Sequence, residues 1–235
     1  MPETKGQTRN RVIAVDGPSG SGKSSVSRAV ATSLGFRYLD TGAMYRAVAL
    51  WMAEHGIDTK DAAAIAEQAG NVVLASRTDP QNPSISVDGR DVEQEIRTQE
   101  ITDIVSAVSA VPAVRRNLVE RQRHEVDAAL KSGTGIVVEG RDIGTTVLPD
   151  ADIKLFLTAD QAARAARRTA QDQQEGRGGE VSATAESLAA RDAADSSRTA
   201  SQLVEAEDAI KIDATFLTFD EVVERVLGLI SGESS

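Results

Sequence analysis

The chain contains no cysteine, which excludes disulfides, zinc thiolates and iron–sulfur clusters. Its two histidines, His55 and His124, are the only imidazole donors, so the metal chemistry left open is a hard cation held by oxygens. Basic charge is in deficit. Lysine and arginine number 26 against 36 acidic residues, a formal net charge of -10, and such a surface does not bind nucleic acid or an anionic membrane non-specifically. Any phosphate ligand must therefore meet locally placed arginines. Long apolar runs are missing as well. Met1 to Arg11 is polar, without the apolar stretch of a signal peptide, and no later run approaches bilayer length. A cytoplasmic protein with no membrane contact is the expectation. No internal repeat or long low-complexity tract is present.

What is present is a chain of 235 residues, 40% of them hydrophobic, enough for one core or for a core with a smaller inserted lobe. Short apolar runs alternate with helical stretches: Val12 to Asp16, Lys23 to Leu34, Phe36 to Asp40, Gly42 to Glu54. That alternation predicts βαβ units and an α/β fold with a central parallel sheet flanked by helices. Gly135 to Val138, Ile153 to Leu157 and Ala209 to Ile212 extend the sheet. Between them Val72 to Leu74 and Ile85 to Val87 flank a turn-rich stretch, Asp79 to Pro83, which predicts a small antiparallel insertion. Pro112 opens a long helix to about Lys131, and Gly133 stops it. A second long helix runs from Asp160 toward Glu175 and meets the break Glu175-Gly176-Arg177-Gly178-Gly179. That composition suits a lid loop, with helix resuming from Thr184 to about Ser196.

Gly17-Pro18-Ser19-Gly20-Ser21-Gly22-Lys23-Ser24 fits G-x-x-x-x-G-K-[ST], after a strand and before a helix, where a phosphate cradle must stand. Small residues let successive backbone N–H groups converge on phosphate oxygens, and the following helix presents the positive end of its dipole. Lys23 then reaches the β- and γ-phosphates, Ser24 offers its hydroxyl to Mg2+, and Ser25 completes the ATP-binding run. A regulatory GTPase would need N-K-x-D and D-x-x-G, and neither tetrapeptide occurs. No long apolar strand ends in Asp-Glu, as an ATPase motor would require. A kinase needs instead an acceptor site and several cations around the transferring phosphoryl group.

Arginines stand at suitable places. Thr41 and Arg46 follow the second strand at its carboxyl end, where α/β sheets bind ligands, and together they can grip an acceptor phosphate. A strand-end cap and an exposed helical arginine fit the same residues. Arg141 and Asp142 lie in Glu139-Gly140-Arg141-Asp142-Ile143-Gly144-Thr145, just past a core strand, facing the same crevice or forming a local ion pair. Arg191, Asp195 and Arg198 share one helical face, which a solvated salt-bridge face explains equally well. Arg164, Arg167 and Arg168 precede the glycine-rich break and are candidates to carry charge to the β- and γ-phosphates.

Taken together, the P-loop, Leu39 to Arg46, Glu95-Ile96-Arg97-Thr98-Gln99-Glu100, Val114-Arg115, Glu139 to Thr145 and Arg191 to Arg198 resemble the bacterial cytidylate kinase family of nucleoside monophosphate kinases, over about Val12 to Leu229. The resemblance implies a P-loop NTPase core (residues 12–40, 107–160 and 199–231) behind a flexible N-terminus (1–11). It implies an acceptor lobe at 41–106 and a helical lid at 161–198. By the same resemblance Thr41, Arg46, Arg141 and Arg198 hold the acceptor phosphate, Tyr45, Arg191 and Asp195 surround the sugar, and Ser106, Arg115 and Asp142 read the base. The implied catalytic cations are Lys23, Arg141, Arg198, Arg167 and Arg168. Implied ligands are Mg2+, ATP and CMP or dCMP, on a monomer. Cytosine suits the base residues, since its N4 amino group needs a carboxylate and its N3 and O2 need donors. Thr41 stands where the family commonly has serine, and Glu139 where it commonly has aspartate. Kinases for UMP or a small metabolite, and a slow ATP-hydrolysing switch, are the alternatives.

Overall fold

The computed structural model describes residues 10–174 and 203–232, together with Ala189 and Ala193. Strand β1 (Val12–Asp16) is buried along its whole length and pairs in parallel with β6 (Ile136–Gly140) on one side and β7 (Ile153–Thr158) on the other. Strands β2 (Arg37–Asp40) and β8 (Ile210–Asp213) complete a five-stranded parallel sheet in the order β2-β6-β1-β7-β8. Because successive strand residues point to opposite faces, Ile13 and Val15 pack on one side with helix α1 (Lys23–Leu34) and the C-terminal helix α7 (Phe219–Ser231). Ala14 packs on the other side with α2 (Thr41–Glu54), α4 (Gln99–Ala110) and α5 (Pro112–Lys131). The α/β fold expected from the alternating pattern is the one observed.

Local chemistry explains the element ends. Pro112 occupies the first turn of α5, and α7 starts in a reciprocal capping box between Thr218 and Glu221. Asp160 caps α6 (Gln161–Gln174) by accepting from Ala163 N at 2.7 Å.

The inserted stretch forms its own antiparallel sheet of β3 (Leu74–Arg77), β4 (Ser84–Val87) and β5 (Arg90–Asp91). Its first strand begins two residues later than the apolar run Val72 to Leu74 suggests. Val72 is drawn into the core instead, and Arg121 of α5 donates to the carbonyls of Val72 at 3.1 Å and Leu74 at 3.3 Å. The third strand arises from a tight reversal at Asp88-Gly89, both with positive φ (49° and 82°). This sheet leans on the parallel one. Tyr38 N donates to Thr78 O at 2.9 Å, and Arg28 Nε of α1 donates to Pro80 O at 3.0 Å. A short helix α3 (Ala62–Gln68) and a 3-10 turn (Glu95–Arg97) complete the insertion. Among the described residues no helix is long and apolar enough to cross a membrane.

Candidate active site

The loop between β1 and α1 is shaped by its glycines. A Cβ on Gly17 would stand 2.0 Å from the Leu157 carbonyl oxygen, and one on Gly20, at φ 77°, would stand 2.9 Å from that of Arg164. Only glycine permits this approach. Arg164 braces the loop from behind, donating to Ser19 O at 3.1 Å and to Ala159 O at 3.1 Å. Lys23 is buried, and its Nζ donates to Pro18 O at 2.8 Å. Burial, helped by the nearby Arg141 charge, pushes the Lys23 ammonium down to about 7, against the pull of Glu139, Asp16 and Asp40. Phosphate oxygens at this position would restore the charged form.

Beside the loop opens a cavity of about 990 Å3, bordered by Ser19, Gly20, Gly22, Lys23, Ser24 and Ser25 at one end and by the inserted stretch at the other. That volume suits small-molecule ligands of nucleotide size. Gly17, Pro18 and Ser21 do not line it, and the Ser21 side chain is buried within the loop.

The expected acceptor residues that are described converge on the same cavity: Thr41, Tyr45, Arg46, Ser106, Arg115, Arg141 and Asp142 all border it. Arg115 and Asp142 are both buried, and Arg115 Nη2 donates to Asp142 Oδ2 at 2.5 Å. The Arg115 guanidinium also lies over the Tyr45 ring, 5.5 Å from its centroid. Arg46 Nη1 is aimed by Thr102 Oγ1 at 3.0 Å and Ile96 O at 3.1 Å. Arg141 Nη1 donates to Gly17 O at 3.1 Å, so this guanidinium stands between the phosphate loop and the acceptor end. The Thr41 hydroxyl spends its proton on Glu139 O at 2.7 Å. Gly140 makes this packing possible, since a Cβ there would come within 2.7 Å of Thr41 Oγ1.

The two arginines at the end of the long helix separate. Arg168 borders the cavity, whereas Arg167 is turned away and donates to the carbonyls of Ala214 and Leu217. Adjacent helical residues diverge by about 100° around the axis, so both cannot face the cleft. The structure thus does not bring Arg167 to the phosphates. Arg191, Asp195, Arg198 and the glycine-rich break lie outside the described residues.

Comparison with known proteins follows the same lines. The family model described as cytidylate kinase matches residues 13–232. The chain belongs to the cytidylate kinase family. A protein named cytidylate kinase from Streptomyces avermitilis is 56% identical over 219 residues, covering 93% of this chain and 92% of that one. Its namesake from Streptomyces coelicolor is 57% identical over 219 residues with the same coverage, and one from Rhodococcus opacus is 49% identical over 227 residues, covering 97% of each. Among solved structures, an uncharacterized protein from Eubacterium ventriosum superposes with a TM-score of 0.50 at 13% identity, over 95% of this chain and 99% of that one. This last likeness concerns the fold alone.

A cytidylate kinase uses a divalent metal with its nucleotide, and the donor set here fits one. Glu139 is buried beside Lys23, with the Ser24 hydroxyl and the Tyr38 phenol both hydrogen-bonded to its carboxylate. Burial raises its affinity for a proton, Asp40 adds to the rise, and Lys23 with the two hydroxyls opposes it. Oxygen donors alone suit a hard cation. No group of three or more His, Cys, Asp or Glu side chains able to hold a metal occurs among the described residues; Mg2+ commonly takes phosphate oxygens and water as further ligands.

Tyr38, Asp40 and Arg97 also line the cavity, and Asp16 lies behind the phosphate loop; none of the four has a role in the motif reading, though Asp40 and Arg97 stand inside quoted motifs. Arg97 donates to Glu93 Oε1 at 2.6 Å and to Asp40 Oδ2 at 3.3 Å, tying the inserted stretch to the end of β2. Asp40 and Arg97 are 57 positions apart, and only the fold joins them.

Proposed function

We propose that the protein transfers the γ-phosphoryl group of Mg-ATP to CMP or dCMP, giving ADP and CDP or dCDP. The observation that carries this reading is one cleft with a phosphate loop at one end, the buried Arg115–Asp142 pair at the other, and Arg141 between them. The P-loop amides and Lys23 hold the donor phosphates. Ser24, with Glu139 beside it, supplies protein oxygens toward Mg2+, whose chemistry is to neutralise charge across the transferring phosphates. Arg141 and Arg46 aim the acceptor phosphate, and Arg198 joins them from the lid. Asp142 accepts from cytosine N4 while Arg115 and Ser106 donate to N3 and O2, leaving UMP with a carbonyl opposite a carboxylate. The family resemblance assigns Tyr45, Arg191 and Asp195 to the sugar. Catalysis is by positioning and charge neutralisation, with no covalent intermediate. On this reading residues 12–40, 107–160 and 199–231 form the core, 41–106 the acceptor lobe and 161–198 the lid.

The test is to follow products from Mg-ATP with and without CMP. Equal amounts of ADP and CDP, with little ADP when CMP is omitted, are expected. ADP release at the same rate without an acceptor would instead mark a slow nucleotide switch.

A further inference from the structure

Asp16 ends β1 one residue before the phosphate loop, and the phosphate-binding pattern does not use it. Its carboxylate is buried and spans from the first strand to a different loop: Oδ1 accepts from Ile143 N at 2.8 Å and Oδ2 from Gly144 N at 2.8 Å. These amides open a single π-helical turn, Ile143–Val147, closed by Val147 N donating to Asp142 O at 3.2 Å and Leu148 N to Ile143 O at 2.7 Å. The first N–H groups of any helical turn lack partners within it. Here a carboxylate from another strand supplies them.

Gly144 lets the turn lie close to Asp16 and to the Lys154 stem, where an added side chain would press on the lysine. A Cβ on Gly144 would come within 3.1 Å of Lys154 Cδ and 3.5 Å of Asp16 Oδ2. Asp142 immediately precedes the turn, and its carboxylate meets Arg115. The next residue after Asp16, Gly17, accepts from Arg141 through its carbonyl. Asp16 and Gly17 thus contact the segment that carries Arg141 and Asp142, one through the Ile143 and Gly144 amides and one through the Arg141 guanidinium.

We propose that Asp16 is a positioning residue for acceptor-base reading, acting through the π turn that carries Asp142. The proposal rests on the assignment of Asp142 and Arg115 to the base. A carboxylate is retained here despite burial that lifts it to about 6, whereas an apolar residue would avoid that cost if filling space were the whole requirement. Loss of the two bonds frees the turn, and a carboxylate displaced by about 1 Å from its partner loses orders of magnitude in productive alignment.

The test compares wild type, Asp16→Ala, Asp16→Asn and Asp142→Asn for KM of CMP, KM of ATP, kcat and the ratio of kcat/KM for CMP over UMP, with thermal unfolding alongside. Asp16→Ala should raise the KM of CMP and lower the CMP-to-UMP ratio by about ten- to a hundredfold. The KM of ATP should move much less, and Asp16→Asn, which keeps one acceptor oxygen, should recover part of both effects. Equal rises in the two KM values, or an unchanged ratio in both Asp16 variants while Asp142→Asn lowers it, would overturn the proposal. An unchanged ratio in Asp142→Asn would instead remove the base-reading assignment, and the proposal with it. If neither Asp16 variant folds, hydrogen exchange in the wild-type protein decides: slow exchange at the Ile143 and Gly144 amides without nucleotide is expected, and fast exchange there contradicts it.

Discussion

Asp16 has a thermodynamic signature of its own. Burial raises its carboxyl from 3.8 to about 6, outweighing the two backbone N–H bonds and Lys23, while the neighbouring Asp142 adds to the rise. Between those values the folded protein holds more protons than the unfolded one. The stability this supplies is present below pH 3.8, is lost as pH rises through about 6, and is flat above. The span is about 3 kcal/mol. Thermal unfolding without nucleotide should therefore show the Tm of Asp16→Asn gaining on wild type as pH rises from 4 to 7; a constant difference across that range contradicts the assignment. Arg141→Ala should lower kcat/KM by several kcal/mol of transition-state stabilisation at little cost in Tm, since its bonds border the cleft, and near-normal turnover would refute its role. At this scale the P-loop was legible from residue type at fixed spacing, and Arg141 and Asp142 from their place just past a core strand, whereas Arg115 entered only through the family resemblance; these three side chains border the same cavity. Asp16 and Tyr38 were illegible for the opposite reason. Each acts on a residue more than 100 positions away, Ile143 and Glu139 respectively, a separation that only strand pairing closes.

Among the elements, α6 makes the most direct claim. Arg167 and Arg168 are neighbours in sequence with different surroundings, one bonded to the carbonyls after β8 and one bordering the cleft. Arg168→Ala should lower kcat with Tm nearly unchanged, whereas Arg167→Ala should lower Tm by a few degrees, about 1 kcal/mol for its hydrogen bonds, with a smaller effect on kcat. Kinetics and calorimetry on both variants check the split, and a larger kcat loss in Arg167→Ala would reverse the assignment. Helix periodicity gave α1, α2 and α5 nearly to the residue because apolar spacing and end signals agreed. β3 starts later than its apolar run because Val72 marks core burial by a loop, while pairing begins at the half-exposed Leu74. The π turn has no periodic signature at all, being five residues whose first donors are satisfied by β1.

For the whole molecule, the small antiparallel sheet and the parallel sheet form opposite walls of the cleft, and their contact is slight where the β3–β4 connection reaches α1. Arg28 is exposed and donates to Pro80 O and Gln81 O, surface bonds of the kind that contribute little to stability. Arg28→Ala should leave Tm within about 0.5 kcal/mol of wild type and raise the KM of both nucleotides modestly, as steady-state kinetics would read; a large loss of stability would mean that the contact is part of the core. An acidic chain of net charge -10 that nevertheless gathers Lys23, Arg46, Arg115, Arg141 and Arg168 around one cavity has concentrated its positive charge where phosphates must sit. The most direct measurement is kcat/KM with Mg-ATP for CMP, dCMP, UMP and AMP in parallel. CMP or dCMP should exceed UMP and AMP by orders of magnitude, up to about 10^4, whereas equal or better turnover of UMP or AMP would contradict the reading of the base by Ser106, Arg115 and Asp142.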